Sequence, residues 1–149
     1  MYARLRALSN DFKHTPVERS RIFGKIRSGG NRSTECRLRA GLIRAGIRGW
    51  RVRPKEVLGQ PDFFFDRQKV AVFVDGCYWH GCTTCGHVPK NNSSFWRLKF
   101  ALTKKRDRKV VRELRLLGFK TLRIWEHQLA DELQSCLRKI RICVQKGAR

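Results

Sequence analysis

Apolar positions along the chain follow two different periods, and the switches between them outline the elements. From about Val17 to Arg27 the spacing predicts a short basic helix. The tract from Ser28 to Asn31 breaks it, because its paired glycines forfeit helix propensity. A second helix follows, with Ser33 or Thr34 as its cap, Leu38, Leu42 and Ala45 as its apolar lane, and Gly46 as its stop. Three short strands come next, Trp50 to Arg53, Asp62 to Phe65 and Val70 to Val74, separated by turn-rich segments. A loop rich in Gly, Cys and Asn runs from Asp75 to Asn92, and a long helix then starts at Ser93 or Ser94 and ends at Gly118. Phe119 to Trp125 reads as a strand. The last helix runs from about Gln128 to Val144, with Leu129, Leu133, Cys136, Leu137, Ile140, Cys143 and Val144 on one face. The order α-α-β-β-β-α-β-α, without internal repeats, predicts an α/β fold with one mixed sheet flanked by helices. With 149 residues and 41% apolar content the chain suits one compact domain, residues 33–149, preceded by a basic arm and helix over residues 1–32.

Four carboxylates break these patterns. On the long helix, at ~100° per residue, Trp96, Phe100, Val110, Val111, Leu114 and Leu117 make one apolar arc, and Asp107 lies inside it. An unpaired buried carboxylate costs several kcal/mol, so Asp107 needs an imidazole, an arginine or a metal as partner. Glu35 shares a face with Leu38 and Leu42, although a glutamate in a first turn is also favoured by capping and the helix dipole. Asp62 follows Gly59-Gln60-Pro61 at a strand start, and Asp75 ends the next strand. Two carboxylates converging at neighbouring strand ends suit a hard cation such as magnesium. That arrangement resembles the PD-(D/E)xK nuclease core, without its lysine, since Val74, Asp75 and Gly76 supply no x-Lys pair after the acid.

Charge then narrows the partner. The chain carries 34 Lys and Arg against 12 Asp and Glu, a net charge of +22, which self-repels unless a polyanion neutralises it. Nucleic acid is the expected partner, although phosphate attraction alone carries no sequence information. The N-terminus lacks an apolar leader and the longest apolar runs are too short to span a bilayer, so no membrane role and a cytoplasmic location are expected. Six cysteines without a secretion signal point to thiols or metal ligands instead of disulfides. Cys36, Cys136 and Cys143 fall on helical stretches and read as core or near-core thiols. Cys77, Cys82 and Cys85 form C-x4-C-x2-C in the loop, a spacing typical of zinc ligands, with His80, His87 and His127 as candidates for the fourth. Tyr78 and Trp79 lie between the first two ligands. They are either packing residues or, in a protein that bends DNA, wedges entering the base stack.

Several blocks occur together between Gly59 and Ala130: GQPDFFF, VFVDGCYWHGC, FW-x-LK with RDRK, and LGFKTLRIWEH. In this order and spacing they resemble the very-short-patch mismatch repair (Vsr) endonucleases, and RSRIFGKIR with TECRL around Glu35 extends the resemblance toward the N-terminus. The resemblance implies a restriction-endonuclease-like core with a structural zinc loop over residues 75–92, acting on double-stranded DNA. It implies that Asp62 is a metal-binding catalytic acid, His80 the general base, Asp107 the carboxylate that orients His80, and Glu35 a helix acid near the metal-bound water. Magnesium would be held by Asp62 and the Val74 backbone, and zinc by Cys77, Cys82, Cys85 and His127. Tyr78, Trp79 and Phe23 match the family's wedge residues, with Lys25 and Arg27 beside them as DNA contacts. Where the family pattern has threonine and a second histidine, this chain has Val74 and Asp75, so Asp75 is expected to take a different part in the site. The expected reaction is a Mg²⁺-dependent nick beside a T:G mismatch by a monomer, with mismatch-repair proteins as partners by analogy. Two rivals are a site-specific homing or phage-type endonuclease of related fold and a non-catalytic basic zinc module that binds nucleic acid.

Overall fold

A computed structural model describes residues 32–147. The helix expected from Val17 to Arg27, with Phe23, Lys25 and Arg27, lies outside the described residues. The elements are α1 (Arg32–Arg44), β1 (Arg51–Val52), β2 (Phe63–Phe65), β3 (Val70–Asp75), α2 (Ser93–Leu116), β4 (Lys120–Trp125), α3 (Glu126–Asp131) and α4 (Leu133–Gly147). One four-stranded sheet has the order β1-β2-β3-β4. β1 with β2 and β2 with β3 are antiparallel, whereas β3 and β4 are parallel and joined through α2. This is the mixed sheet flanked by helices that the hydrophobic pattern predicts.

Helix ends follow the glycine signals closely. Leu117, Gly118 and Phe119 close α2 with amide hydrogen bonds from Gly118 to the Arg115 carbonyl (2.9 Å) and from Phe119 to the Leu114 carbonyl (2.9 Å). That paired closure requires a left-handed residue, and Gly118 has φ 81°. The start of α2 falls at Ser93, as the sequence predicts. Its cap is Asn92, left-handed at φ 57° and making no side-chain capping bond, a conformation asparagine tolerates better than most residues.

Three boundaries differ from the sequence reading. β1 is only two residues long because Arg53 turns left-handed (φ 44°) and leaves the strand. The single terminal helix is two helices with a break at Glu132 (φ −128°), which lets Leu129 and the Cys136, Leu137 and Ile140 face both pack on the sheet. Leu117 is exposed as a cap instead of continuing the α2 apolar arc, and Cys36 is exposed on α1.

The main core joins Leu38 and Leu42 of α1 to Phe63, Phe65, Val70, Val72 and Ile124 of the sheet and to α3 and α4. A smaller cluster, Phe64, Ala71, Phe73 and Leu114, forms on the opposite face beneath α2. Among the described residues no helix is long and apolar enough to cross a membrane.

Candidate active site and metal centre

Alternation along the strands decides which residues meet. Phe63, Phe65, Val70, Val72 and Ile124 face the main core, so the intervening positions Phe64, Ala71 and Phe73 face α2. The same period of two carries Asp62, Asp75 and Arg123 to the α2 side, where Asp107 is waiting on the helix. A cavity of about 410 Å³ collects Arg53, Asp62, Asp75, His80, Asp107 and Arg123. The turn that delivers Asp62 passes close under α2: a Cβ on Gly59 would lie 2.4 Å from Val110, and Gly59 is left-handed (φ 77°). Glycine is therefore required there.

The sequence pairs His80 with Asp107 only through the resemblance, and the structure brings them together. His80 Nδ1 lies 2.7 Å from Asp107 Oδ2. A carboxylate at that distance holds the proton on Nδ1 and leaves Nε2 as the ring's acceptor. Burial by itself would raise the Asp107 carboxyl. The His80 hydrogen bond and the charges of Arg123, His80 and Arg106 outweigh it and hold the pKa below the usual carboxylate value.

Asp62 behaves oppositely. Its Oδ2 accepts the Val74 amide (2.7 Å) and its Oδ1 accepts Arg53 Nε (3.2 Å), yet burial still raises its pKa above the ordinary value. A buried carboxylate whose burial outweighs the one guanidinium it shares with Glu35 fits a hard divalent cation, so Asp62 suits magnesium. Arg53 also pairs with Glu35, which places Glu35 one guanidinium away from Asp62. Asp75 suits a cation less well. Both of its oxygens accept hydrogen bonds from Arg123, through Nε (2.6 Å) and Nη2.

Arg53 and Arg123 are the members of this site that sequence reasoning did not single out. Arg123 could have been noticed as a charge at an inward position of the apolar run Leu122 to Trp125. Arg53 gave no signal, since it follows a strand in a chain full of exposed arginines.

The cysteine cluster forms a second centre. Cys77, Cys82, Cys85 and His127 place one ligand atom each within 4.8 Å of one another. Nδ1 of His127 lies 3.2, 3.7 and 3.5 Å from the three sulfurs in that order. A tetrahedral zinc with Zn–S near 2.3 Å and Zn–N near 2.05 Å sets about 3.6 Å between the nitrogen and each sulfur, and the three distances scatter around that value, so the donor set suits a tetrahedral cation. Burial would raise the Cys82 thiol, but hydrogen bonds from Cys85 and Thr84 bring it down to about 6. Its neighbours Cys77 and Cys82 push Cys85 up to about 12. Of the other two candidate histidines, His80 is on Asp107 and His87 is exposed near Tyr78. Glu126 braces the cluster by accepting the Cys77 amide (3.3 Å) and the Thr34 hydroxyl (3.3 Å).

Tyr78 packs edge-on against Trp79, Trp96 and Phe100, and Lys99 lies over the rings of Trp79 (5.1 Å) and Trp96 (5.0 Å). Burial lowers the Lys99 pKa. The two loop aromatics thus sit on a platform supplied by the first turns of α2.

Comparison with known proteins bears on the whole arrangement. Residues 11–86 match the family model described as DNA mismatch endonuclease Vsr. The type II nicking enzyme V.NaeI of Lentzea aerocolonigenes is 35% identical over 144 residues, covering 93% of this chain and 84% of the relative. The type II nicking enzyme V.NmeAIP of Neisseria meningitidis is 36% identical over 120 residues, covering 79% and 84%. The DNA mismatch endonuclease Vsr of Escherichia coli is 34% identical over 94 residues, covering 62% of this chain and 59% of that protein. With half of its length matched by one family model and a relative of this identity spanning nearly all of it, the chain belongs to the Vsr family of DNA endonucleases.

Proposed function

We propose that this endonuclease nicks one strand of duplex DNA beside a T:G mismatch, with magnesium at Asp62 and zinc at the cysteine cluster. The observation that carries the reading is the His80–Asp107 pair in the same cavity as Asp62. Asp107 holds the Nδ1 proton, and Nε2 of His80 takes a proton from the attacking water. Asp62 and the Val74 carbonyl hold the magnesium, with Glu35 acting on Asp62 through Arg53. Bound magnesium supplies positive charge against the pentacovalent transition state. Three thiolates and His127 leave no open position for substrate, so the zinc is structural and ties the loop after β3 to the end of β4.

Tyr78 and Trp79 are the residues to enter the base stack, with Phe23, Lys25 and Arg27 of the N-terminal arm contacting DNA from outside the described residues. A nick at an asymmetric lesion has no need of two-fold symmetry, which favours a monomer. A nicked product accords with relatives that are called nicking enzymes. The test is cleavage of matched T:G and T:A duplexes with Mg²⁺ or with EDTA. Mg²⁺-dependent nicking of the T:G duplex alone is the expected result. Equal nicking of both overturns the mismatch assignment, and binding without any cut overturns the catalytic one.

A further inference from the structure

We propose that Arg123 is a catalytic residue of this enzyme, its guanidinium contacting a non-bridging oxygen of the scissile phosphate while Asp75 anchors it from behind. The inference rests on the endonuclease reading of the cavity.

Arg123 occupies the fourth position of β4, opposite Phe73 in the parallel register, and its guanidinium lies 5.3 Å from the Phe73 ring centre. Asp75 grips it with both oxygens through Nε and Nη2. The same Nη2 lies 3.0 Å from Asp107 Oδ2 and 3.4 Å from His80 Nδ1. Burial would lower the guanidinium pKa, but these carboxylates raise it instead, so the charge is permanent. Asp75 and Asp107 thereby fix the guanidinium plane beside the base that receives the water's proton.

Three features separate this from a purely structural ion pair. The first is depth: the Asp75 side chain is 5% exposed and that of Arg123 is 24% exposed, so the carboxylate lies behind and the cation in front. The second is donor use. Nε and Nη2 are committed to Asp75 and Asp107, whereas Nη1 makes no hydrogen bond among the described residues, leaving two N–H groups for a ligand. The third is location. Arg123 lines the cavity around Asp62 and also a larger one of about 640 Å³ that continues along α2 past Lys104, Arg108, Arg112 and Arg115. A strand whose phosphates follow those cations passes Arg123 on entering the site. Desolvating an arginine and a carboxylate gains little stability by itself, whereas a pre-oriented donor facing a phosphate acts where charge develops in the transition state.

The experiment is single-turnover nicking of the mismatched duplex by wild type, Arg123→Met and Arg123→Lys, using each phosphorothioate diastereomer at the scissile position. Arg123→Met is expected to slow nicking about 100-fold with DNA affinity changed only a few-fold. In wild type, sulfur at the oxygen that Arg123 contacts slows cleavage in a way that Mn²⁺ does not relieve. In Arg123→Met that penalty disappears. Arg123→Lys keeps the charge but loses the two-pronged fork, so it should fold as wild type, as judged by its melting transition, and show an intermediate rate and penalty. If Arg123→Met folds poorly, Arg123→Lys alone carries the test. Full retention of rate or of the sulfur penalty in the folded variants overturns the role of Arg123 while leaving the nuclease reading in place. A wild type that nicks no duplex overturns both.

Discussion

The two faces of the sheet are built on opposite principles. On one, α1, α3 and α4 close over Phe63, Phe65, Val70, Val72 and Ile124 to form the main apolar cluster. On the other, Leu114 of α2 packs on Phe64, Ala71 and Phe73 with Val57, Val110 and Phe119 beside them, and the same strands then present Asp62, Asp75 and Arg123. The difference arises within single strands, since β3 sends Val70 and Val72 one way and Ala71, Phe73 and Asp75 the other. A small domain can hold several desolvated charges on one face because the other face supplies its cohesion. Arg53 and Arg123, each gripping two carboxylates, limit what those charges cost.

The sharpest way to break this comparison is to cut one side chain from each face. His80→Ala should lower single-turnover nicking by about 10²- to 10⁴-fold with only a small loss of melting temperature, since Asp107 keeps Arg123 as a partner. Phe63→Ala should destabilise the fold by about 3 to 5 kcal/mol and reduce nicking only through loss of folded protein. Denaturant titration beside the kinetic assay separates the two. An unstable His80→Ala, or a stable Phe63→Ala without activity, would mean that the faces are not specialised in this way.

The zinc proposed for the cysteine cluster predicts a smaller effect. Wild type should contain one zinc per chain by metal analysis, and Cys77→Ser should lose it together with several degrees of melting temperature. Unchanged metal content in Cys77→Ser would remove that centre from the account.

The smallest effects distinguish two carboxylates within the charged face. Asp107 has a depressed pKa when folded, so its stabilising contribution is present above the unfolded value and is lost as pH falls through the folded one. Asp107→Asn should therefore melt lower than wild type at neutral pH, with the gap closing in acid. The raised pKa of Asp62 has the reverse sign. Its ionised form opposes folding at neutral pH, and that cost fades as pH falls through the folded value and the group is protonated.

How much of this was legible in the sequence follows from the range of each signal. Asp107 stood out because a helix repeats over many residues, so one acid in an apolar arc is visible. The cysteines stood out because short spacing leaves them few other roles. The fourth ligand was ambiguous among three histidines, since the choice depends on β4 ending beside the loop after β3. Arg53 and Arg123 stayed hidden because 34 basic residues make any one of them look like surface charge. Their pairing depends on strand register, which no local pattern specifies. The break at Glu132 was equally silent, as glutamate is a good helix former.

The most direct test of a functional charged face is Asp62→Asn, assayed for Mg²⁺-dependent nicking and for thermal unfolding on the same preparation. The account predicts that nicking is lost while the melting temperature at neutral pH is equal to or above that of wild type, because the substitution removes a buried carboxylate that the fold holds at a cost. Nicking at the wild-type rate, or activity lost only in step with the fold, would contradict it.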